Sequence, residues 1–129
     1  MRKILLVLTA SLMVALVSAS LAVAAGEPFE QARFDALQRA GRPVLVWIHA
    51  DWCPTCRAQG KVLDELLPMP ALHGLTVLKV DFDRQKRIVR AFRAVQQSTF
   101  ILFKGGREVG RSLGETRRGR ILEFLKQAL

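Results

Sequence analysis

Cysteine is scarce in this sequence, which has only Cys53 and Cys56 in 129 residues. So small a number excludes a scaffold held together by several disulfide bonds. Internal repeats, low-complexity runs and Ser/Gly-rich linkers are also lacking after residue 26, which predicts a single domain from there onward. With 50% hydrophobic and 24% charged residues, the composition excludes a disordered or collagen-like chain.

Charge is absent from a long segment near the start of the chain. Residues 4–25 contain no charged side chain and follow a basic start, a pattern typical of a secretory signal peptide. Small residues before the end of this run predict cleavage near Ala24. We therefore expect a signal peptide at residues 1–24 and an exported, periplasmic or extracellular, domain at residues 25–129. An uncleaved membrane anchor is the alternative, because an uncharged run of this length can span a bilayer.

Acidic residues are fewer than basic ones, 11 against 20. Loss of Arg2 and Lys3 with the signal peptide takes the formal net charge from +9 to +7. Such a charge attracts nucleic acids or anionic membranes, but export excludes most nucleic-acid partners, so no nucleic-acid binding is expected. The basic helix at residues 84–93 is interpreted as a solvated face. Docking to an acidic partner or an anionic lipid is the alternative.

Apolar patterning predicts alternating helices and strands. Unbroken apolar runs rich in β-branched residues indicate strands buried on both faces, and apolar residues spaced three and four apart indicate helices. The predicted strands are residues 44–48, 75–80, 99–103 and 108–112, the last two joined by a tight turn at residues 104–107. The predicted helices are residues 28–40, a helix opened by the cysteines and ended at residues 68–70, residues 84–95, and a last helix through residues 121–129. These elements predict an α/β fold with a mixed, roughly four-stranded sheet flanked by helices.

The two cysteines stand where a helix begins. With Cys53 as the N-cap, Pro54 takes the first helical position, and the backbone N–H groups of Thr55 and Cys56 point toward the sulfur. Such N–H groups and the positive end of the helix dipole stabilise a thiolate, the reactive form of cysteine. We therefore expect Cys53 to attack a disulfide of a partner and Cys56 to resolve the mixed disulfide that forms.

Two other uses of the cysteines are open alternatives. A structural disulfide between residues this close would close too small a loop to stabilise much. A four-ligand zinc site would need His49 and His73, which lack the usual ligand spacing. Neither a metal ion nor a bound cofactor is therefore expected.

Several ordered blocks of the sequence resemble the thioredoxin superfamily, over nearly all of residues 29–129. The blocks are residues 50–57 (ADWCPTCR), 62–65 (VLDE), 80–83 (VDFD), 103–106 (FKGG) and the segment from Gly110 through Gly114 to residues 121–125 (ILEFL). The resemblance implies a thioredoxin-like fold and a protein thiol–disulfide oxidoreductase. Cys53 is then the nucleophile and Cys56 the resolving thiol.

The resemblance also implies a surface on which a protein partner docks. Beside the cysteines it includes Trp52, Pro54 and Thr55. The family usually has a cis-proline in the loop facing the cysteines, but Ser98 stands at that position here, and we expect a trans bond because a non-proline cis bond costs about 3 kcal/mol. Gln97, Ser98 and Thr99 are expected to pair with the bound peptide's backbone, with an extra N–H and hydroxyl donor at Ser98. Alternatively, Ser98 and Thr99 only begin a strand and Gln97 is solvated.

A second departure concerns a buried aspartate that helps to deprotonate the resolving thiol in thioredoxins. Trp47 occupies the corresponding position here. Lys79 matches the lysine that neighbours this aspartate, and His49 lies near the end of the strand. We expect His49 or a water molecule, next to Lys79, to act as the proton shuttle. An ordinary hydrogen-bonded histidine is the alternative. The family's mid-helix proline is Lys61 here, and a clear first strand is absent.

The sequence thus predicts an exported monomer that reduces or isomerises disulfides of protein partners. No charged residue lies between the cysteines, which favours a reductant over a strong oxidant. A reductant in an oxidising compartment must be resupplied, so a membrane electron carrier is expected as a second partner. The alternatives are a disulfide-forming oxidant and a redox-inert module for binding or chaperone-like work.

Overall fold

The structure is a computed structural model that describes residues 25–129 of the chain. The predicted signal peptide, and the anchor that is its alternative, lie outside the described residues and stay predictions. Within residues 25–129, no helix is both long enough and apolar enough to cross a membrane.

Strands and helices alternate along the described part of the chain. The strands are β1 (Glu27–Pro28), β2 (Val44–His49), β3 (Thr76–Asp81), β4 (Thr99–Lys104) and β5 (Arg107–Leu113). The α-helices are α1 (Gln31–Arg39), α2 (Pro54–Leu66), α3 (Lys86–Ala91) and α4 (Arg118–Lys126), and a 3₁₀ turn, Pro70–Leu72, follows α2. The predicted α/β class is confirmed, as is the order of the elements from the first predicted helix onward.

The strands form one mixed sheet in the order β1-β3-β2-β4-β5. β3 pairs in parallel with β1 and β2, whereas β4 pairs antiparallel with β2 and β5. The sheet has five strands where the sequence predicts roughly four. The additional strand places Glu27 and Pro28 opposite Leu78 and Lys79 and is too short for a strand pattern to appear. Because Pro28 belongs to this strand, α1 begins at Gln31 instead of residue 28.

The third predicted helix, residues 84–95, is shorter in the structure. Oδ1 of Asp81 accepts hydrogen bonds from the backbone N–H groups of Asp83 and Arg84, each at 2.9 Å, so these residues form a turn before α3. Beyond its other end, Arg93 has a left-handed backbone with φ of 52°, which an α-helix does not include. Loops therefore flank α3 on both sides, and both reach the site described below.

Apolar side chains cover both faces of the sheet. On one face, Leu45 and Trp47 of β2 belong to a buried cluster that also includes side chains of α2 and α4. On the other face, Val46 and Ile48 belong to a second buried cluster with side chains of α1 and α3. The prediction of a strand buried on both faces is thus confirmed for β2. This packing holds the carboxyl end of β2 firmly in place, and the cysteines follow there.

The tight turn between β4 and β5 is confirmed. Gly105 and Gly106 have φ angles of 57° and 77°, the left-handed values that a two-residue hairpin turn requires and that glycine adopts without strain. The antiparallel pair that results forms the edge of the sheet farthest from β1.

Candidate active site around Cys53 and Cys56

Cys53 caps the amino terminus of α2, a few residues after the end of β2. Its backbone is extended, with φ of −82° and ψ of 116°, and its Sγ accepts a hydrogen bond from the backbone N–H of Cys56 over 3.2 Å. Pro54 occupies the first turn, where its missing N–H costs no hydrogen bond. Cys53 exposes 3% of its surface and Cys56 none, so both thiols are buried and Cys53 is the less buried of the two.

The two thiols differ in acidity. Burial opposes ionisation of Cys53, but hydrogen bonding from Cys56, the Gln97 side chain and the Thr55 backbone outweighs it and lowers the pKa of Cys53 below 9.0. Burial, together with the hydrogen bond to Cys53 and the negative charge there, raises the pKa of Cys56 to about 12. The difference favours Cys53 as the attacking thiolate and keeps Cys56 protonated until Cys53 has reacted.

The loop before β4 faces the cysteines. The expected trans bond before Ser98 is present, since the described part of the chain contains no cis peptide bond, and Ser98 has a left-handed φ of 58°. The Ser98 backbone lies near the Cys56 sulfur and acts to lower the pKa of that thiol, against the larger effect of burial, and the Ser98 hydroxyl donates to the Gln97 carbonyl over 2.6 Å. The Thr99 hydroxyl donates to the Gln96 carbonyl over 2.8 Å. Both hydroxyl protons are therefore bonded inside the loop, and in this conformation Ser98 offers no hydroxyl donor to a bound peptide.

Gln59 of α2 belongs to no sequence motif, and its buried side chain hydrogen-bonds to this loop from the protein interior. Its side chain is fully buried, and Nε2 donates to the carbonyls of Ser98 and Glu115, both over 3.1 Å. Its Oε1 accepts from Nε1 of Trp47 over 2.9 Å. Its position in the sequence could have predicted that Gln59 is buried, because it lies at helical spacing from Leu63 on the buried face of α2. A buried amide on an apolar stripe indicates hydrogen-bond partners from elsewhere in the fold.

Trp47 stands where the resemblance places a buried aspartate. Its ring is 2% exposed and meets the His49 ring edge-on, with 4.6 Å between the ring centroids. Gly60 of α2 lies so close that a Cβ added there would be 3.3 Å from the Trp47 ring. The group at this position is therefore a neutral indole, tied to Gln59, that accepts no proton from the resolving thiol.

His49, Lys79 and Cys56 line one cavity of about 280 Å³, which is large enough to hold water. Burial and the positive charge of Lys79 lower the pKa of His49 below 6.5, against the opposing effects of Asp51 and Asp81. Nδ1 of His49 lies 3.6 Å from Oδ1 of Asp51. The imidazole is thus neutral at neutral pH, the form that accepts a proton.

Trp52 adjoins Cys53 in the chain, and Gln97 of the loop before β4 hydrogen-bonds to Cys53. The Trp52 side chain is 58% exposed, and its Nε1 donates to Oδ2 of Asp83 over 2.7 Å. Pro54 is exposed and Thr55 half-buried at the start of α2. Trp52, Pro54, Thr55 and Gln97 therefore lie close to Cys53, and Ser98 lies close to Cys56, whereas the role of these residues and of Thr99 in docking stays a prediction.

The described residues place no candidate metal ligands together. Within residues 25–129, no three His, Cys, Asp or Glu side chains are arranged so that they could hold a metal ion. His73, which a zinc site would need, follows the 3₁₀ turn after the carboxyl end of α2, while Cys53 caps its amino end. Both cysteines are free thiols.

Comparison with known proteins connects this site to a family. The family model described as thioredoxin matches residues 25–127. The chain is 36% identical over 90 residues to a thioredoxin from Mycobacterium bovis, which covers 70% of this chain and 77% of that protein. It is 34% identical over 90 residues to a bifunctional thioredoxin reductase/thioredoxin from Mycobacterium leprae, but spans 19% of that longer protein. The crystal structure of Trxlp from Edwardsiella tarda EIB202 is 47% identical, with a TM-score of 0.75, over 76% of this chain and 95% of that chain.

The family match spans every strand and helix from β1 to α4, including the cysteine pair at the start of α2. Thioredoxins are protein disulfide oxidoreductases, and the free thiols at a helix amino terminus are the groups that this chemistry requires. The chain therefore belongs to the thioredoxin family and is a protein thiol–disulfide oxidoreductase.

Proposed function

We propose that this protein is exported and that it reduces or isomerises disulfide bonds of other proteins, with Cys53 as nucleophile and Cys56 as resolving thiol. The observation that carries the proposal is the asymmetry of the two sulfurs. Cys53 caps α2 and has a lowered pKa, whereas Cys56 is fully buried with its pKa raised to about 12. The Cys53 sulfur is thereby prepared to attack a partner disulfide. The Cys56 sulfur stays protonated close to it until the mixed disulfide has formed.

The reaction takes two exchange steps. The Cys53 thiolate attacks one sulfur of a partner disulfide, forming a bond to that sulfur while the other leaves as a thiolate and takes up a proton. Cys56 then loses its proton and attacks the Cys53 sulfur, so that the second partner sulfur leaves and is protonated. The partner gains two electrons and two protons, and the protein retains a Cys53–Cys56 disulfide. A membrane electron carrier is the proposed source of the two electrons that restore the dithiol.

Two features support reduction over strong oxidation. Pro54 and Thr55 place no charge between the cysteines to stabilise the thiolate further. The Cys53 thiolate is stabilised by hydrogen bonds from N–H groups and side chains and has to overcome its own burial. In this proposal a monomer binds the partner between exposed Trp52 and the loop that carries Gln97.

The cavity that joins His49 to Cys56 supports a proton-transfer role for His49. The second exchange step requires a base, because Cys56 holds its proton firmly and Trp47 cannot accept one. His49 is neutral at neutral pH, because burial and then the positive charge of Lys79 lower its pKa, and a water molecule in this cavity would connect it to Cys56. His49 thus takes the place of the missing carboxylate.

Replacing His49 with alanine is expected to slow the second exchange step roughly 100-fold at neutral pH, the lower end of what a general base contributes. The advantage of the wild-type protein should shrink as the pH falls below the pKa of His49, because the protonated imidazole accepts no proton. Stopped-flow measurement of partner release from a mixed disulfide at Cys53 gives the rate. His73→Ala is the control; equal rates for both variants and the wild-type protein would mean that His49 has only a structural role.

The reduction potential of the purified protein tests the proposed direction. Equilibration in dithiol buffers, followed by thiol trapping and Trp fluorescence, should give a value near about −270 mV for a reductant. A value near about −120 mV would identify a disulfide-forming oxidant instead. Failure to cycle between dithiol and disulfide would identify a redox-inert module for binding.

Export is supported by the charge pattern of the leader alone. Mass spectrometry of the protein recovered from the producing cell tests it directly. A mature chain that begins at Ala25 indicates export and cleavage, and an intact leader in the membrane fraction indicates an anchor. An intact leader in the cytosol would contradict export.

A further inference from the structure

We propose that the basic surface of α3 and its flanking residues docks an acidic segment of the protein whose disulfide Cys53 attacks. The inference rests on the proposed function, because it names the kind of partner on which that function acts. The surface, called the basic face below, consists of Arg84, Lys86, Arg87, Arg90 and Arg93. No acidic residue lies between the first and the last of them.

The basic face forms no ion pair within the described part of the chain, and the acidic residues near it, such as Asp81, share a pocket with Arg84 at its edge. All five side chains are exposed, and none of the ion pairs among residues 25–129 involves them. The equally basic α4 region differs, because Arg117, Arg118 and Arg120 pair with Glu115, Glu65 and Glu123. The residues that pack α3 onto the sheet are apolar, namely Ile88, Val89 and Phe92. The side chains of the basic face therefore neither pack α3 onto the sheet nor form ion pairs with residues 25–129.

The loops before and after α3 both reach the residues around Cys53. Asp83 in the loop before α3 accepts the hydrogen bond from Trp52, and Gln97 in the loop between α3 and β4 hydrogen-bonds to Cys53. A shallow groove of about 190 Å³ runs along α3 toward the second loop, lined by Phe82, Lys86, Val89, Arg90, Ala94 and Val95. Val95 is 82% exposed. An apolar strip with cations along its rim thus runs beside α3 and into the loop that leads to Gln97.

This combination fits an extended acidic segment of a protein. Apolar side chains can enter the groove while neighbouring carboxylates meet Lys86 and Arg90 at its rim. Exposed cations without an ion-pair partner also raise the encounter rate with acidic partners at low salt, and salt screens this effect beyond about 10 Å at 0.1 M ionic strength. A flat anionic membrane fits less well, because on the basic face it would cover the approach to Trp52 and Cys53.

The test uses two peptides with the same intramolecular disulfide, one flanked by Asp and Glu and the other by Lys. We expect kcat/KM for the acidic peptide to be about tenfold higher at low ionic strength, and the two values to converge in high salt. A Lys86→Gln, Arg87→Gln, Arg90→Gln variant should lose most of this preference. The matched variant on α4, Arg118→Gln, Arg120→Gln, Lys126→Gln, removes the same charge and should keep it.

Further measurements distinguish failure of the docking proposal from failure of the proposed function. If the wild-type protein does not cleave a small uncharged disulfide, the proposed function itself fails. If it does, but shows no preference for the acidic peptide, or the two variants lose the preference equally, docking by the basic face is overturned. A last measurement uses phosphatidylcholine–phosphatidylserine vesicles. If the protein binds them through the basic face and reduces the two peptides at equal rates, the proposed docking of an acidic segment is overturned in favour of a membrane surface.

Discussion

Replacing Cys53 with serine is expected to abolish the reduction of a disulfide-bonded test protein, a loss of at least about 1,000-fold. The physical reason is that a serine hydroxyl is not ionised at neutral pH and cannot form the mixed disulfide. Cys56→Ser is the matched variant, because it keeps the nucleophile and removes the resolving thiol. It should attack once and then remain covalently bound to the partner. Turnover with catalytic amounts of protein, followed by non-reducing gel electrophoresis, measures both effects.

The two variants must differ for the assigned roles to stand. Accumulation of the mixed disulfide in Cys53→Ser, and its absence from Cys56→Ser, would reverse the roles of the two sulfurs. Binding of a partner without any turnover, even by the wild-type protein, would favour the redox-inert module. In the structure the pKa is lowered at Cys53 and raised at Cys56, so we expect neither the reversed roles nor the absence of turnover.

Replacing Gln59 with alanine is expected to lower the free energy of unfolding by about 3 kcal/mol. The substitution opens a cavity and leaves three buried groups without their partner: the indole N–H of Trp47 and the carbonyls of Ser98 and Glu115. Gln59→Met retains the length of the side chain but not its hydrogen bonds, and should recover only the packing part of the loss. Urea unfolding followed by Trp fluorescence gives both values.

Gln31→Ala is the control for Gln59→Ala, because Gln31 bonds only to exposed Asp35 on α1 and its loss should cost less than about 0.5 kcal/mol. Gln59→Ala should also raise KM for protein disulfides, since it releases the Ser98 loop beside Cys53. The attack of Cys53 on a small disulfide should change much less. Equal destabilisation by Gln31→Ala and Gln59→Ala, or an unchanged KM, would contradict the role given to Gln59.

Local chemistry explains which features of the site could be predicted from the sequence. The N-cap position of Cys53 followed from a buried strand, a proline and an apolar helical stripe in sequence order, each a short-range pattern. The turn at Gly105 and Gly106 followed from the backbone freedom of glycine. The strand β1 escaped prediction because two residues carry no periodicity. The helix α3 was predicted too long because a turn held by the Asp81 side chain precedes it and the left-handed Arg93 follows it, within an otherwise helical pattern.

The sequence by itself determined the α/β order of elements, the position of the redox pair at a helix amino terminus, and the departures at Trp47 and Ser98 from the family pattern. Only the tertiary structure decided which distant groups lie beside Ser98 and Cys56. Gln59 reaches Ser98 across 39 positions, and His49 shares a cavity with Cys56 and Lys79. The reason is physical: hydrogen bonds, cavities and charge pairing join residues far apart in the chain, and no local pattern records which distant groups the packed sheet will bring together.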